Sequence, residues 1–124
     1  MCWHKLTHSE LQACRKLLML DVTEAAEWIG KVSNRSWQRW ESGQHEIPGD
    51  VDEEIYACIQ RQQNIVSEYT QWQLDNEGEM LKMPYYHTFD QYAACNKGAT
   101  KLDWRIHQSA VAFVFSEGGE VELT

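Results

Sequence analysis

The chain has 124 residues, 43% of them hydrophobic and 24% charged, with only two prolines, a composition that fits one compact domain or a small module with an addition and excludes a disordered chain. No stretch approaches the roughly 18 uninterrupted apolar residues of a membrane span, and Met1-Cys2-Trp3-His4-Lys5 lacks the apolar core of an export signal. The formal charge of −8 is unevenly spread: residues 1–48 hold six Lys/Arg and six acids, whereas residues 49–124 hold five bases and thirteen acids, so only the earlier part can present its bases to phosphate.

In chain order, Thr7-His8-Ser9-Glu10 has the spacing of a capping box, in which a hydroxyl and a carboxylate satisfy orphan amides at a helix start. Leu11, Cys14, Leu17 and Leu18 follow at helical spacing and predict a first helix to about Leu20. Either Asp21 or Thr23 can cap a short second helix with Val22, Ala26 and Ile29 on one face, and the small Ala25 and Ala26 let another helix approach closely. Gly30 is expected to supply the left-handed stop. Ser33 then caps a third helix over residues 34–42, with Trp37 and Trp40 on one side and Arg35, Gln38 and Arg39 projecting elsewhere, and Gly43 ends it.

The segment Ile47-Pro48-Gly49-Asp50 turns into a long fourth helix, whose stripe runs through Val51, Ile55, Cys58, Ile59, Ile65, Val66, Tyr69 and Trp72 until Asn76-Glu77-Gly78 breaks it. Asp52, Glu53 and Glu54 fall in its first turns, where negative charge complements the helix dipole. Met80 to Tyr86 reads as an extended piece that Pro84 restricts to an edge. Thr88-Phe89-Asp90-Gln91 is a second capping box, opening a short helix to about Cys95, and Asn96-Lys97-Gly98 is a turn. In the last segment Leu102, Ile106, Ala110 and Phe113 fit a helix, whereas Ala112 to Ser116 also fits a strand that turns at Glu117-Gly118-Gly119 into Val121-Glu122-Leu123. The preferred reading is the helix, ending at Gly118 and followed by a short strand or tail.

The stretch from Thr23 to Gly43 carries the chemistry. Two short helices joined by a glycine-containing turn form a helix-turn-helix, whose second helix can enter the major groove of duplex DNA. Such a helix must bury one face in its own bundle and present planar polar side chains on another. Val32, Trp37 and Trp40 supply the first face, and Asn34, Arg35, Gln38 and Arg39 the second. Arginine forks pair bidentately with guanine, and Asn or Gln with adenine.

The residues Ala26, Ile29-Gly30, Val32-Ser33, Trp40-Glu41-Ser42-Gly43 and Pro48 resemble the Xre/λ-repressor-like helix-turn-helix superfamily. A narrower likeness is carried by Leu11-Gln12-Ala13, the run Arg15 to Val22, Glu24-Ala25-Ala26-Glu27, Ser36-Trp37-Gln38 and Trp40-Glu41-Ser42-Gly43. These are similar to the YdiL-type proteins and to the anti-CRISPR-associated autorepressors of phages. The likeness is strongest over residues 7–55, and an echo at Trp104-Arg105 and Gln108-Ser109-Ala110-Val111-Ala112 extends it. It implies a mainly α, λ-repressor-like helix-turn-helix bundle over residues 1–77, long fourth helix included. A small C-terminal α region with a short β element, residues 78–124, would serve dimerisation. It further implies a transcriptional repressor that binds double-stranded DNA at an inverted repeat as a homodimer, in the cytoplasm and without a cofactor. Carried onto the repressor pattern, Asn34, Arg35 and Arg39, followed by Ser36 and Gln38, are the base-reading residues, and Thr23, Lys31 and Ser33 contact phosphate. Two departures stand out. The turn Gly30-Lys31-Val32-Ser33 is one residue longer than in generic Xre proteins, and a charge of −8 implies modest affinity that falls steeply with salt.

Blander readings compete at several positions. Trp37 and Trp40 match apolar core positions rather than base-stacking platforms, and Glu41 is expected to hold the bundle through an amide or Arg15. Cys2, His4 and His8 invite a metal, but a fourth ligand is missing. Cys14 and Cys58 fall on apolar stripes as buried thiols. Four cysteines without a Cys-x-x-Cys pair suit a reducing cytosol. Cys95 with His87 or His107 imitates a nucleophile and base without an orienting acid, so no enzyme is expected. Ala110 to Phe115 is either core or a self-association patch. Two other functions remain in view: an antitoxin-like or adaptor module whose acidic part binds a partner protein, and a regulator whose basic face grips an RNA hairpin.

Overall fold

A computed structural model describes residues 4–124. The fold is mainly helical, with a small two-stranded sheet. The chain divides into two compact units, the first ending at Gln60 and the second running Arg61–Thr124.

In the first unit, α1 (His8–Leu17) opens on the expected capping box: the Thr7 hydroxyl accepts from the Glu10 amide at 3.1 Å, and the Glu10 carboxylate accepts from the Thr7 amide at 2.9 Å. The helix stops at Leu17, short of the expected Leu20, because Met19 takes a left-handed conformation with φ of 60°. The reversed chain is held where the Leu20 carbonyl accepts from Arg15 Nη1 at 2.9 Å. Of the two caps open to α2 (Val22–Ala25), Asp21 is used, its carboxylate accepting from the Glu24 amide at 2.7 Å. α2 runs straight into a wide π-helical turn, Ala26–Gly30.

Gly30 does not supply the left-handed stop. That conformation falls on Lys31, with φ of 55°. Gly30 is there for space: a Cβ on it would lie 3.0 Å from both Trp37 Cε3 and Val32 Cγ2, and 3.1 Å from Trp40 Cζ3. The glycine lets the backbone settle against the indoles of α3 (Asn34–Glu41). Trp37 and Trp40 are buried with ring centroids 5.4 Å apart, and Gly43, with φ of 82°, ends the segment.

α4 (Gly49–Asp75) begins with Val51, Ile55, Cys58 and Ile59 buried on one stripe. Asp52 departs from its expected role as a surface charge near the helix start. It is buried, paired with Lys5 Nζ at 3.0 Å, and accepts from the Leu6 amide at 3.3 Å, so it ties the incoming chain to α4.

The second unit contains the rest of α4, then β1 (Leu81–Met83), α5 (Phe89–Cys95), α6 (Lys101–Ser116) and β2 (Val121–Leu123). Thr88 and Gln91 form the expected capping box on α5, and Thr100 with Asp103 forms another on α6. The helical reading of the last segment holds. β2 pairs in parallel with β1, Leu81 opposite Val121 and Met83 opposite Leu123, rather than in a hairpin with residues 112–116. Leu81, Met83, Val111 and Val114 form the core of this unit, with Val66 and Tyr69 of α4 packed against it. The segment Ala110 to Phe115 divides. Ala110, Val111 and Val114 are core, whereas Phe113, expected on the inner face, is exposed along with Phe115, because the last turns of α6 meet the sheet through Val111 and Val114. Among the described residues no helix is long and apolar enough to cross a membrane.

Candidate nucleic-acid interface

The candidate interface is the outer side of α3, and its orientation depends on one buried carboxylate. Arg15 of α1 grips Glu41 with a two-pronged contact, Nε to Oε2 at 2.6 Å and Nη2 to Oε1 at 3.1 Å. The same Glu41 accepts from Trp37 Nε1 at 2.6 Å and from Gln12 Nε2 at 3.3 Å. Both ion-pair partners are almost wholly enclosed, with side-chain exposures of 10% and 7%. Burial raises the Glu41 pKa, but the hydrogen bonds from Arg15 and Trp37, the Arg15 charge and the Gln12 amide outweigh it and leave the carboxyl below its usual value. Glu41 therefore stays ionised and fixes α3 against α1, the structural role expected of it through both an amide and Arg15.

With the indoles turned inward, the polar side chains of α3 turn out. Arg35 and Gln38 are exposed and Arg39 is half-buried. These three, with Ser42 and Gln44, line an open hollow of ≈ 330 Å³. Among the described residues neither the Arg35 nor the Arg39 guanidinium makes a hydrogen bond or ion pair. Each is free to offer its fork to an acceptor.

The other expected contacts are more committed. Asn34 Nδ2 donates to Thr23 Oγ1 at 2.8 Å, which joins an expected base reader to an expected phosphate contact and leaves Asn34 its oxygen and one hydrogen. Ser33 is occupied as the cap of α3, accepting from the Ser36 amide at 3.2 Å and bonding the Ser36 hydroxyl at 3.2 Å. Lys31 is exposed, with its ammonium donating to the Trp28 carbonyl at 3.1 Å. Residues Asn34 to Arg39 and Thr23, Lys31 and Ser33 thus all lie on α3, its cap or the elements leading into it. Ser42 and Gln44 were not anticipated. Ser42 was legible, since it stands seven residues after Arg35 on the same helical face, whereas Gln44 is brought in only by the positive φ of Gly43.

The family described as Aca2/YdiL-like matches residues 6–123. The chain belongs to this family. It is 44% identical over 113 residues to the Aca2 repressor of Pectobacterium phage ZF40, covering 91% of this chain and 96% of that protein. It is also 26% identical over 108 residues to the uncharacterised protein YdiL of Escherichia coli strain K12, covering 86% of this chain and 91% of that one. Within this Aca2/YdiL-like chain the other groupings weighed from sequence find different uses. His4 bonds the Glu10 carboxylate at 3.0 Å, while Cys2, its partner in the considered metal site, lies outside the described residues. Cys58 is buried as expected and Cys14 is half-buried. Cys95 is exposed, and His107 packs instead between Tyr86 and Tyr92.

Proposed function

We propose that this protein is a transcriptional repressor that binds duplex DNA at an inverted repeat as a homodimer, each copy laying α3 in the major groove. Self-association would run through the C-terminal part, residues 78–124 with the stretch of α4 that packs on them. The observation that carries the reading is the pair of uncommitted guanidiniums, Arg35 and Arg39, on a helix whose opposite side is anchored by two buried indoles. The 44% identity to a protein named as a repressor supports the same conclusion.

On this reading Arg35, Arg39 and Gln38 read base edges, with Asn34 and Ser36 beside them. Thr23, Lys31, Ser33 and the open amides at the start of α3 hold phosphate and set register. Replacing Arg35 or Arg39 with alanine is expected to cost about 1–3 kcal/mol and to relax preference at one base pair. The decisive experiment is selection of binding sites from random duplexes, read beside the mass of the protein in solution. A palindromic consensus bound by a two-chain species is expected, with the half-sites about one turn of DNA apart. Retention of all duplexes alike, or tighter binding to a transcript than to its duplex, would overturn the reading.

A further inference from the structure

Two helix starts meet at the edge of the candidate interface. Thr23 is the second residue of α2 and Asn34 the first of α3. Both are exposed, and Asn34 Nδ2 donates to Thr23 Oγ1 at 2.8 Å across eleven positions of chain. Their backbones are held from beneath. Asp21 caps α2, Ser33 caps α3, and Gly30 seats the turn between them on Trp37 and Trp40. An asparagine side chain has only two torsions, so one hydrogen bond to a fixed neighbour sets the plane of its carboxamide. Among the described residues nothing accepts from the Thr23 hydroxyl, and Oδ1 and the second Nδ2 hydrogen of Asn34 are unused.

The direction of this bond decides what Asn34 offers outward. A threonine hydroxyl has one hydrogen to give and lone pairs to receive, whereas a phosphate oxygen only accepts. Once the Thr23 hydrogen goes to phosphate, its oxygen can only accept from Asn34, so Nδ2 must face Thr23 and Oδ1 must face out. The outward edge is then an acceptor beside a donor. That edge complements adenine, which presents a donor at N6 and an acceptor at N7 in the major groove. The reversed carboxamide, with Oδ1 towards Thr23, would turn only hydrogens outward, the complement of guanine, whose O6 and N7 both accept.

We propose that Thr23 is a positioning residue for base choice. By giving its hydrogen to one backbone phosphate it locks the Asn34 carboxamide in the orientation that selects adenine over guanine. Each half-site therefore carries an A·T pair at the Asn34 position, beside the pairs read by Arg35 and Arg39. Phosphate contacts carry no sequence information directly; this one carries it through the bond direction it imposes on a neighbour. The inference rests on the duplex-DNA reading above and names the base that Asn34 selects.

The test uses the full-length chain, unaltered and as Thr23→Ser, Thr23→Val and Asn34→Ala, each checked for folding by circular dichroism. Site selection with the unaltered protein is expected to return adenine at one position of each half-site. That preference should vanish in Asn34→Ala, which identifies the position. Anisotropy titrations of duplexes with A·T or G·C there then measure the discrimination. The unaltered protein and Thr23→Ser, which keeps the hydroxyl, should favour A·T by about tenfold or more. Thr23→Val keeps the shape without the hydroxyl and should lose most of that ratio while retaining its preferences at the other positions. A neutral methylphosphonate, placed at each linkage of the half-site in turn, should lower the ratio at one linkage for the unaltered protein and at none for Thr23→Val. A Thr23→Val protein that binds all duplexes more weakly but keeps the ratio would overturn the proposal and leave the DNA reading intact. So would guanine at the Asn34 position, or a ratio that no methylphosphonate changes. Retention of all duplexes alike by the unaltered protein would overturn both. Should Thr23→Val fail to fold, Thr23→Ala carries the same comparison with the same outcomes.

Discussion

Glu41 shows how a single buried side chain can set the orientation of a candidate interface from the opposite side of its helix. It is charged, enclosed and satisfied by three separate donors from α1 and α3. Removing one partner of such a pair leaves the other as an uncompensated buried charge, so Glu41→Ala is expected to cost about 3–5 kcal/mol, measured by urea unfolding. The pH dependence follows from the lowered carboxyl. Above the ordinary carboxylate value of 4.5 both folded and unfolded chains are ionised there and the stabilisation is complete. As pH falls below it the unfolded chain takes up its proton first, and the contribution disappears as pH passes through the folded value. Glu41→Gln should flatten that part of the acid-unfolding curve, and an unchanged slope would show that the carboxylate is not the responsible group.

At the scale of elements, the connection between α2 and α3 separates two effects that are often combined in one glycine. Gly30 provides room and Lys31 provides the left-handed bend. Trp37, fully buried, has nowhere to move, so Gly30→Ala should cost about 1–3 kcal/mol through crowding. Lys31→Gly should instead stabilise the fold by about 0.5–1 kcal/mol, the relief of a left-handed L-residue less the added freedom of the unfolded chain. If Lys31 holds phosphate, the same change should lower the salt slope of DNA binding by about one. Thermal melts and titrations at several salt concentrations read the two effects apart. These positions also mark what was legible in the sequence. Caps and turns set by three-residue spacing, such as Thr7 with Glu10 and Thr88 with Gln91, were plain, as was the inward set of Trp37 and Trp40. The left-handed conformations of Met19 and Lys31 fall on residues with no glycine to mark them, and the burial of Asp52 depends on contacts with Lys5 and Leu6, distant in sequence, which no local pattern carries. Outer residues of α3 followed from helical spacing, whereas the Asn34–Thr23 bond and the entry of Gln44 required the actual angle between elements.

For the whole molecule, acid should act on the two units at different pH. His107, in the second unit, packs among Tyr86 and Tyr92 with ring centroids 5.5 and 5.4 Å away. Among the described residues its Nδ1 is enclosed without a hydrogen-bond partner, and burial holds its pKa below the ordinary 6.5. A neutral folded imidazole and an unfolded one that titrates near 6.5 mean that the unfolded chain binds more protons once pH drops through that value. The stability contribution is therefore complete above 6.5 and is lost as pH falls towards the folded value. The Glu41 contribution in the first unit begins to fall only below 4.5. On acidification from about pH 7 to about pH 5, amides of α6 should lose hydrogen-exchange protection while those of α1 and α3 keep theirs. His107→Phe retains a ring between the two tyrosines and removes the titrating group. It should abolish the loss of protection in α6 over that interval, and an undiminished loss in the variant would place the acid sensitivity of the second unit elsewhere. On the proposed homodimer reading, with α3 still held by Arg15 and Glu41, mild acid should loosen the pairing of the second units before it alters the outer side of α3, so binding to a single half-site should outlast binding to the paired repeat.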